Sequence, residues 1–382
     1  MIPYLIVFLI VILNTYRAQT LYKKGYKFRG TIYVFISIII MSVLAAVRND
    51  EIGKDILVYV IPSFSWAQNY DFVEFMKIGN LDSGYMIFTF IITKIFNDYH
   101  WILFFIQFII SSLIYFFAYK EKEDIPMWLV MVVFLLVMYN DTLTMMRQSI
   151  AILIILLSYV SLRERKYIKT IILYISAIFF HNTAVIAIIG YLFIKINYSK
   201  KMKESKKIYA NIILFIICTM CVLFYQKILY VFTFNLGWLP IRFYDYFDTE
   251  YYLDTIIISK STLLFKILCI LISVVYNNIY KKDKISKLII IFLLIDLEIY
   301  ILSLRFGPIM RLGYYFSYPA LLYLIPQITN ILKKDKYNKI CSYVIIIMSL
   351  FSFWYFNNIV HNESGNTYPY KSDILINLIN NI

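Results

Sequence analysis

The sequence predicts an all-α polytopic membrane protein of about twelve transmembrane helices (about 10–13 by apolar-run length), with interfacial helices in its first outer loop. Three observations predict it. The 382 residues are 61% apolar and 16% charged, with a mean hydropathy of +0.72. Soluble domains carry about 25% charged residues, and a surface much poorer in charge does not stay dissolved. Lysines and arginines sit in short clusters between apolar runs, as topology signals do. Gly and Pro number only 10 and 8, which argues against long disordered linkers.

The elements follow in chain order. The opening run MIPYLIVFLIVILNTY lacks the basic start and small-residue cleavage site of a signal peptide, and is read as a retained first helix. Six basic clusters lie at 17–29, 119–125, 163–169, 195–207, 281–287 and 329–339, and together hold 25 of the 37 Lys and Arg. The positive-inside rule makes them cytoplasmic. Any two cytoplasmic loops must be separated by an even number of spans, yet three apolar runs (30–47, 84–96 and 100–118) lie between the first two clusters. The middle run is too short to cross comfortably and is expected to lie on the membrane outside. The expected spans are then 2–16, 30–47, 100–118, 126–140, 149–162, 168–181, 183–195, 208–226, 261–280, 288–304, 312–328 and 340–356, with both termini outside. A single transmembrane domain results, whose outer face consists of loops 48–99 and 227–260 and the tail 357–382. The cytoplasmic segments contain seven acids and the outer ones fourteen, which agrees in sign.

The net charge of +14 is scattered over these clusters rather than gathered on one face, so no nucleic-acid partner is expected. The C-x-x-C of Cys218 and Cys221 falls inside an apolar run and reads as packing. His100, His181 and His361 show no metal-ligand spacing, and neither a P-loop nor a hydrolase elbow occurs. No metal or cofactor is expected.

What remains maps to the outer ends of spans. Arg48 follows the second span with Asp50, Glu51 and Asp55; Arg147 lies in NDTLTMMRQ; His181 breaks the apolar stretch 168–195; Arg305 and Arg311 bracket RFGPIMR; His361 lies in the tail. An arginine at a span end can simply reach the headgroups, but Arg147 breaks the positive-inside pattern and is flanked by Met145, Met146 and Ile150. Convergent outward arginines suit a phosphate or pyrophosphate on a lipid carrier, because Arg binds such oxygens bidentately and keeps its charge. Asp296 and Glu298 lie within a span, and Lys266 is expected near the depth of Glu298 as its ion-pair partner. The Tyr-rich run 243–252 and Tyr368 and Tyr370 read as interfacial aromatics or sugar-stacking surfaces.

Arg48, Gly53, Asp55 and Tyr59 resemble the R-x(4)-G-x-D-x(3)-Y signature of EpsG-family, Wzy-like polysaccharide polymerases. Gly84-Tyr85 resembles that family's next element, Met146-Arg147-Gln148 with Ala151 its M-R-Q-x-x-A motif, and Phe180-His181 its F/I-H motif. Arg311 with Tyr315, and Pro369-Tyr370, match later positions more loosely. Asn182-Thr183 departs from the Pro-Ser or similar pair common there.

The resemblance implies a GT-C-like membrane glycosyltransferase that moves a growing glycan from undecaprenyl pyrophosphate to a lipid-linked repeat unit. It acts on the outer face of a bacterial cytoplasmic membrane, making O-antigen, capsule or exopolysaccharide. Its partners would be the lipid-linked donor and acceptor, the lipid bilayer, a flippase and a chain-length regulator. Arg147 and Arg311, with Arg48 and Arg305, would bind the pyrophosphate; Gln148 and Tyr315 would contact substrate; Asp55 or His181 would accept the acceptor's proton. The alternatives are a lipid-linked oligosaccharide flippase, disfavoured by the absence of an inverted repeat, and a membrane O-acyltransferase, for which the short cytoplasmic loops offer little.

Overall fold

The computed structural model describes residues 1–235, 237, 259–279, 284–303, 309–329, 336–362 and 365–380. Their regular secondary structure is all helical, with no strand among the described residues. The Tyr-rich run 243–252 and Arg305 lie outside them. The helices are α1 (Ile2–Lys23), α2 (Lys27–Ala46), α3 (Ile61–Asn69), α4 (Phe72–Ile78), α5 (Ser83–Ile95), α6 (His100–Lys120), α7 (Met127–Val133), α8 (Tyr139–Thr144), α9 (Met146–Arg163) and α10 (Tyr167–Phe180). They continue with α11 (Ile188–Asn197), α12 (Glu204–Leu223), α13 (Tyr225–Tyr230), α14 (Lys260–Ile279), α15 (Lys284–Leu302), α16 (Met310–Ile328), α17 (Lys336–Trp354) and α18 (Asp373–Asn380). Two compact units share them: Met1–Ser158, Tyr167–Val185 and Leu322–Ile382 form the first, and Tyr159–Lys166 with Ile186–Leu321 the second.

Each of the twelve expected spans falls on a helical segment, and eight segments are long and apolar enough to cross a membrane by length and composition. These are α1, α2, α6, α9, α12, α14, Met127–Thr144 (α7 and α8 joined by a π-helical turn) and Ile340–Val360. The other four differ for physical reasons. α10 has 14 residues, about 21 Å at 1.5 Å per residue, against a hydrocarbon core of about 30 Å. Asn182–Asn197 is also short and begins with a 3-10 turn. α15 carries Lys284, Lys287, Asp296 and Glu298, and α16 is diluted by Gly, Tyr, Ser and Pro.

Exposure fits a lipid solvent. In α12, Ile208, Ile212, Ile213, Ile216, Ile217 and Met220 are each more than half exposed, a continuous apolar surface that water would not tolerate. The first unit holds the opposite case, Met127–Thr144, most of whose residues are buried.

Within the first unit, α1, α2 and α6 pack side by side. α2 ends and α6 begins at one end of that group, where the Tyr99 hydroxyl donates to Asp50. The segments between them, α3 to α5, have 9, 7 and 13 residues. They therefore leave and return on one face, as the parity argument expects. Gly84 sets how closely α5 approaches α10: a Cβ there would meet the Phe179 carbonyl oxygen at 2.7 Å.

The C-terminal tail fastens the same face. The Asn49 N–H donates to the Lys371 carbonyl at 3.1 Å and the Gly53 N–H to that of Asn366 at 3.3 Å. The Tyr370 hydroxyl donates to the Leu44 carbonyl at 2.7 Å, and Ser372 to that of Val47. Beneath the tail, buried polar groups satisfy one another: Trp354 donates to Asn140 at 2.9 Å, Asn140 to Thr367 at 2.9 Å, and Tyr4 to the Thr367 carbonyl at 2.7 Å. Edge-on contacts among Tyr4, Phe8, Tyr139 and Trp354 fill the space below. The first residues of α1, the ends of α2 and α8 and the tail thus share one face.

The second unit corrects one expectation. Lys266 pairs with Asp296, not Glu298. At 100° per helical residue the two acids point about 200° apart, so only one can face α14. The Glu298 carboxylate is half-buried, and its Oε2 has no hydrogen-bond partner among the described residues. All four cysteines are free thiols.

Candidate active site: a carboxylate shared by an arginine and a histidine

Arg147 is the second residue of α9, just after the break at Met145, and its neighbours in space come from two other segments, the π-helical turn Ile56–Val60 and α5 with its N-cap. Nη1 donates to Asp82 Oδ2 at 2.9 Å. The guanidinium carbon lies 4.4 Å from the Tyr59 ring centroid and 5.4 Å from that of Tyr85. A cation over such faces gains about 0.5–2 kcal/mol, more as water is excluded. Tyr85 is fully buried and its hydroxyl lies 3.3 Å from that of Ser63. Among the described residues, Nε and Nη2 of Arg147 make no hydrogen bond, and the side chain is 12% exposed.

His181 closes α10, where the chain turns into the 3-10 segment Asn182–Ala187. Its Nδ1 lies 3.1 Å from the same Asp82 Oδ2, and the Asn182 N–H donates to Oδ1 at 3.1 Å. A carboxylate only accepts, so Nδ1 carries a hydrogen, and in the neutral imidazole Nε2 then holds the lone pair. Nε2 has no hydrogen-bond partner among the described residues, and the ring is 22% exposed.

Asp82 is the residue that sequence reasoning missed. It occupies the N-cap position of α5 but caps nothing there; its carboxylate reaches across the chain instead and is 4% exposed. Burial would raise its pKa. The hydrogen bond and charge of His181, then Arg147, then the Asn182 N–H outweigh burial and hold it below the ordinary Asp value. The one sequence signal that could have drawn attention to it is its place two residues before Gly84-Tyr85.

The first signature contributes differently from expectation. Arg48 is 1% exposed, and its guanidinium donates to the carbonyls of Ala45 (2.9 Å), Ile52 (3.0 Å) and Leu143 (2.8 Å), with the Met146 sulfur at 3.7 Å. It clasps the end of α2 to the end of α8. Gly53 completes the clasp, since its φ of +90° suits glycine and a Cβ would meet the Leu143 oxygen at 2.6 Å. Asp55 is buried at the head of the π-helical turn Ile56–Val60, and its charge bears on Arg48 and Tyr85. Gln148 and Ala151 are buried in α9.

Three other sequence-selected residues are described, on other segments. Arg311 is exposed at the start of α16 and Tyr315 is buried one turn later, both in the second unit. Arg305 is outside the described residues, and His361 is exposed in the tail. The structure therefore brings Arg147 and His181 together on Asp82 and sets Tyr59 and Tyr85 against them.

No curated protein and no solved structure matches the chain. A family model does, over residues 31–372, a range that includes Arg48, Asp82, Arg147 and His181 as well as Arg311 and Tyr370. The chain belongs to the EpsG family.

Proposed function

We propose that the chain is a polysaccharide repeat-unit polymerase, moving a growing glycan from undecaprenyl pyrophosphate to a lipid-linked acceptor at the outer face of the cytoplasmic membrane. The observation that carries this reading is the shared carboxylate: Asp82 holds a cation with two open donor nitrogens beside an imidazole whose Nε2 is open. Family membership supports a role in polysaccharide biosynthesis.

The chemistry needs those two functions. The acceptor hydroxyl attacks the anomeric carbon, and the bond from that carbon to the pyrophosphate oxygen breaks. Arg147 Nε and Nη2 would bind the pyrophosphate and stabilise the charge developing on it. His181 Nε2 would take the hydroxyl proton, a role suited to an imidazole near neutral pH. Asp82 would fix the imidazole tautomer and steady the imidazolium, as a carboxylate behind a histidine does elsewhere. Between the two bases the sequence left open, this geometry favours His181, with Asp55 as a supporting charge. Because the donor brings its own leaving group, no nucleotide site is required. Arg311, Tyr315 and Arg305 remain candidates for the diphosphate or the glycan, and a GT-C-like arrangement stays an expectation.

The test is an Arg147→Ala variant in the producing strain, with lipid-linked saccharides separated on a ladder gel. Single lipid-linked units with no ladder support the proposal; a ladder of normal length overturns it.

A further inference from the structure

A cleft of about 440 Å³ opens on the same face of the first unit, next to the Arg48 clasp. Its volume falls in the range of small-ligand sites, about 300–1,000 Å³. Asp50, Glu51, Leu57, Tyr99, His100 and Asp373 line it. None of these carries out a step in the reaction proposed above.

Carboxylates outnumber cations in the cleft lining. Arg48 borders it, but its guanidinium is committed to three carbonyls. Lys371 pairs with Glu51 at 3.1 Å. Asp50 accepts from the Tyr99 hydroxyl and Asp373 from the Asn49 amide at 3.0 Å. A carboxylate offers about four lone-pair sites, so each keeps acceptor capacity after its bond. Three carboxylates facing one space disfavour phosphate and uronate and favour ligands rich in O–H or N–H. The Tyr99 and His100 rings stack with centroids 4.2 Å apart, and Leu57 is 55% exposed beside them. Carboxylates for hydroxyls, together with aromatic and aliphatic faces for C–H surfaces, form a combination suited to a sugar ring. Arg48, at the edge of the cleft, also contacts the sulfur of Met146, the residue before Arg147.

We propose that this cleft is a glycan subsite, holding neutral or amino sugars of the polymerising chain apart from its diphosphate end. The proposal rests on the polymerase reading, and one experiment separates the two. The probe is the delipidated repeat-unit oligosaccharide released by mild acid from the producing strain, titrated into the full-length protein in detergent by saturation-transfer NMR. Leu57→Trp fills the cleft without removing a hydrogen bond, and Asp50→Asn removes one charge while leaving Tyr99 an acceptor. Both are expected to weaken oligosaccharide binding at least tenfold and to shift the cellular ladder to shorter chains. An all-uronic oligosaccharide of equal length should bind at least tenfold more weakly than a neutral one. Arg147→Ala should retain oligosaccharide binding while losing the ladder. Unchanged binding in Leu57→Trp and Asp50→Asn, or equal binding of the uronic and neutral probes, overturns the subsite. Loss of binding in Leu57→Trp beside a normal ladder in Arg147→Ala upholds the subsite as a sugar site and overturns the polymerase reading alone.

Discussion

Replacing Asp82 with Asn perturbs the site with almost no change in shape. The amide keeps one oxygen, so the Asn182 N–H can retain its acceptor. What disappears is the negative charge that Arg147 and His181 share at 2.9 and 3.1 Å. Removing one partner from a buried ion pair costs about 3–5 kcal/mol, because the other charge is left without compensation. Arg147 keeps 12% exposure and lies over two rings, which favours the lower end, about 3 kcal/mol, or roughly 150-fold in the folding equilibrium. Activity should fall further than stability explains. The imidazole loses the partner that fixes its tautomer, and a misplaced general base forfeits about 10²–10⁴ in rate. The assay has two arms: thermal unfolding of the purified protein in detergent, and in vitro elongation of lipid-linked repeat units well below the unfolding temperature. Asp82→Glu, which keeps the charge, should recover part of both. An Asp82→Asn protein with the wild-type unfolding temperature and elongation rate would refute the shared-carboxylate argument.

Three further outcomes follow from the same geometry. The folded Asp82 pKa lies below its unfolded value, so its stabilisation is present above the ordinary Asp range, about pH 4, and is lost as pH falls through the lowered folded value; the stability gap between wild type and Asp82→Asn should narrow as pH falls below about 4. Arg48→Lys cannot reach three carbonyls, and with about 1.5–3 kcal/mol for each charged hydrogen bond lost it should lower folded yield while leaving the KM for the lipid-linked donor unchanged in surviving protein. Lys266→Ala strands an Asp296 that is 2% exposed and should cost about 3–5 kcal/mol, whereas the Lys266→Met, Asp296→Leu double variant should regain most of that in the same unfolding assay.

The fold was legible because lipid imposes long apolar helices and charge asymmetry marks their ends. Parity alone removed the 84–96 run from the spans, and the structure sets the end of α2 beside the start of α6, where Tyr99 meets Asp50. Arg147 and His181, which the fold joins on Asp82, were legible because they break a pattern, Arg147 in an apolar setting and His181 in an apolar stretch. Asp82 breaks none, since an acid at a helix N-cap is ordinary; only the fold shows that it points away from its own helix. Arg48 was misread for a related reason. Its acceptor Leu143 is 95 residues distant, and no local pattern reveals that a conspicuous arginine is holding carbonyls rather than awaiting an anion. The Lys266 partner was missed by two residues, a small error in depth but more than half a turn in direction. Depth can be estimated from sequence, whereas the facing side depends on how neighbouring helices are rotated.

The central claim is that Arg147 and His181, joined by Asp82, carry glycan transfer. It is tested most directly by reconstituting the purified protein in proteoliposomes with a single lipid-linked repeat unit and no nucleotide sugar. Wild type should convert the unit into a ladder with release of undecaprenyl pyrophosphate, while Arg147→Ala and His181→Ala, folded and inserted, should leave it as a monomer. A ladder from either variant at the wild-type rate would contradict the account.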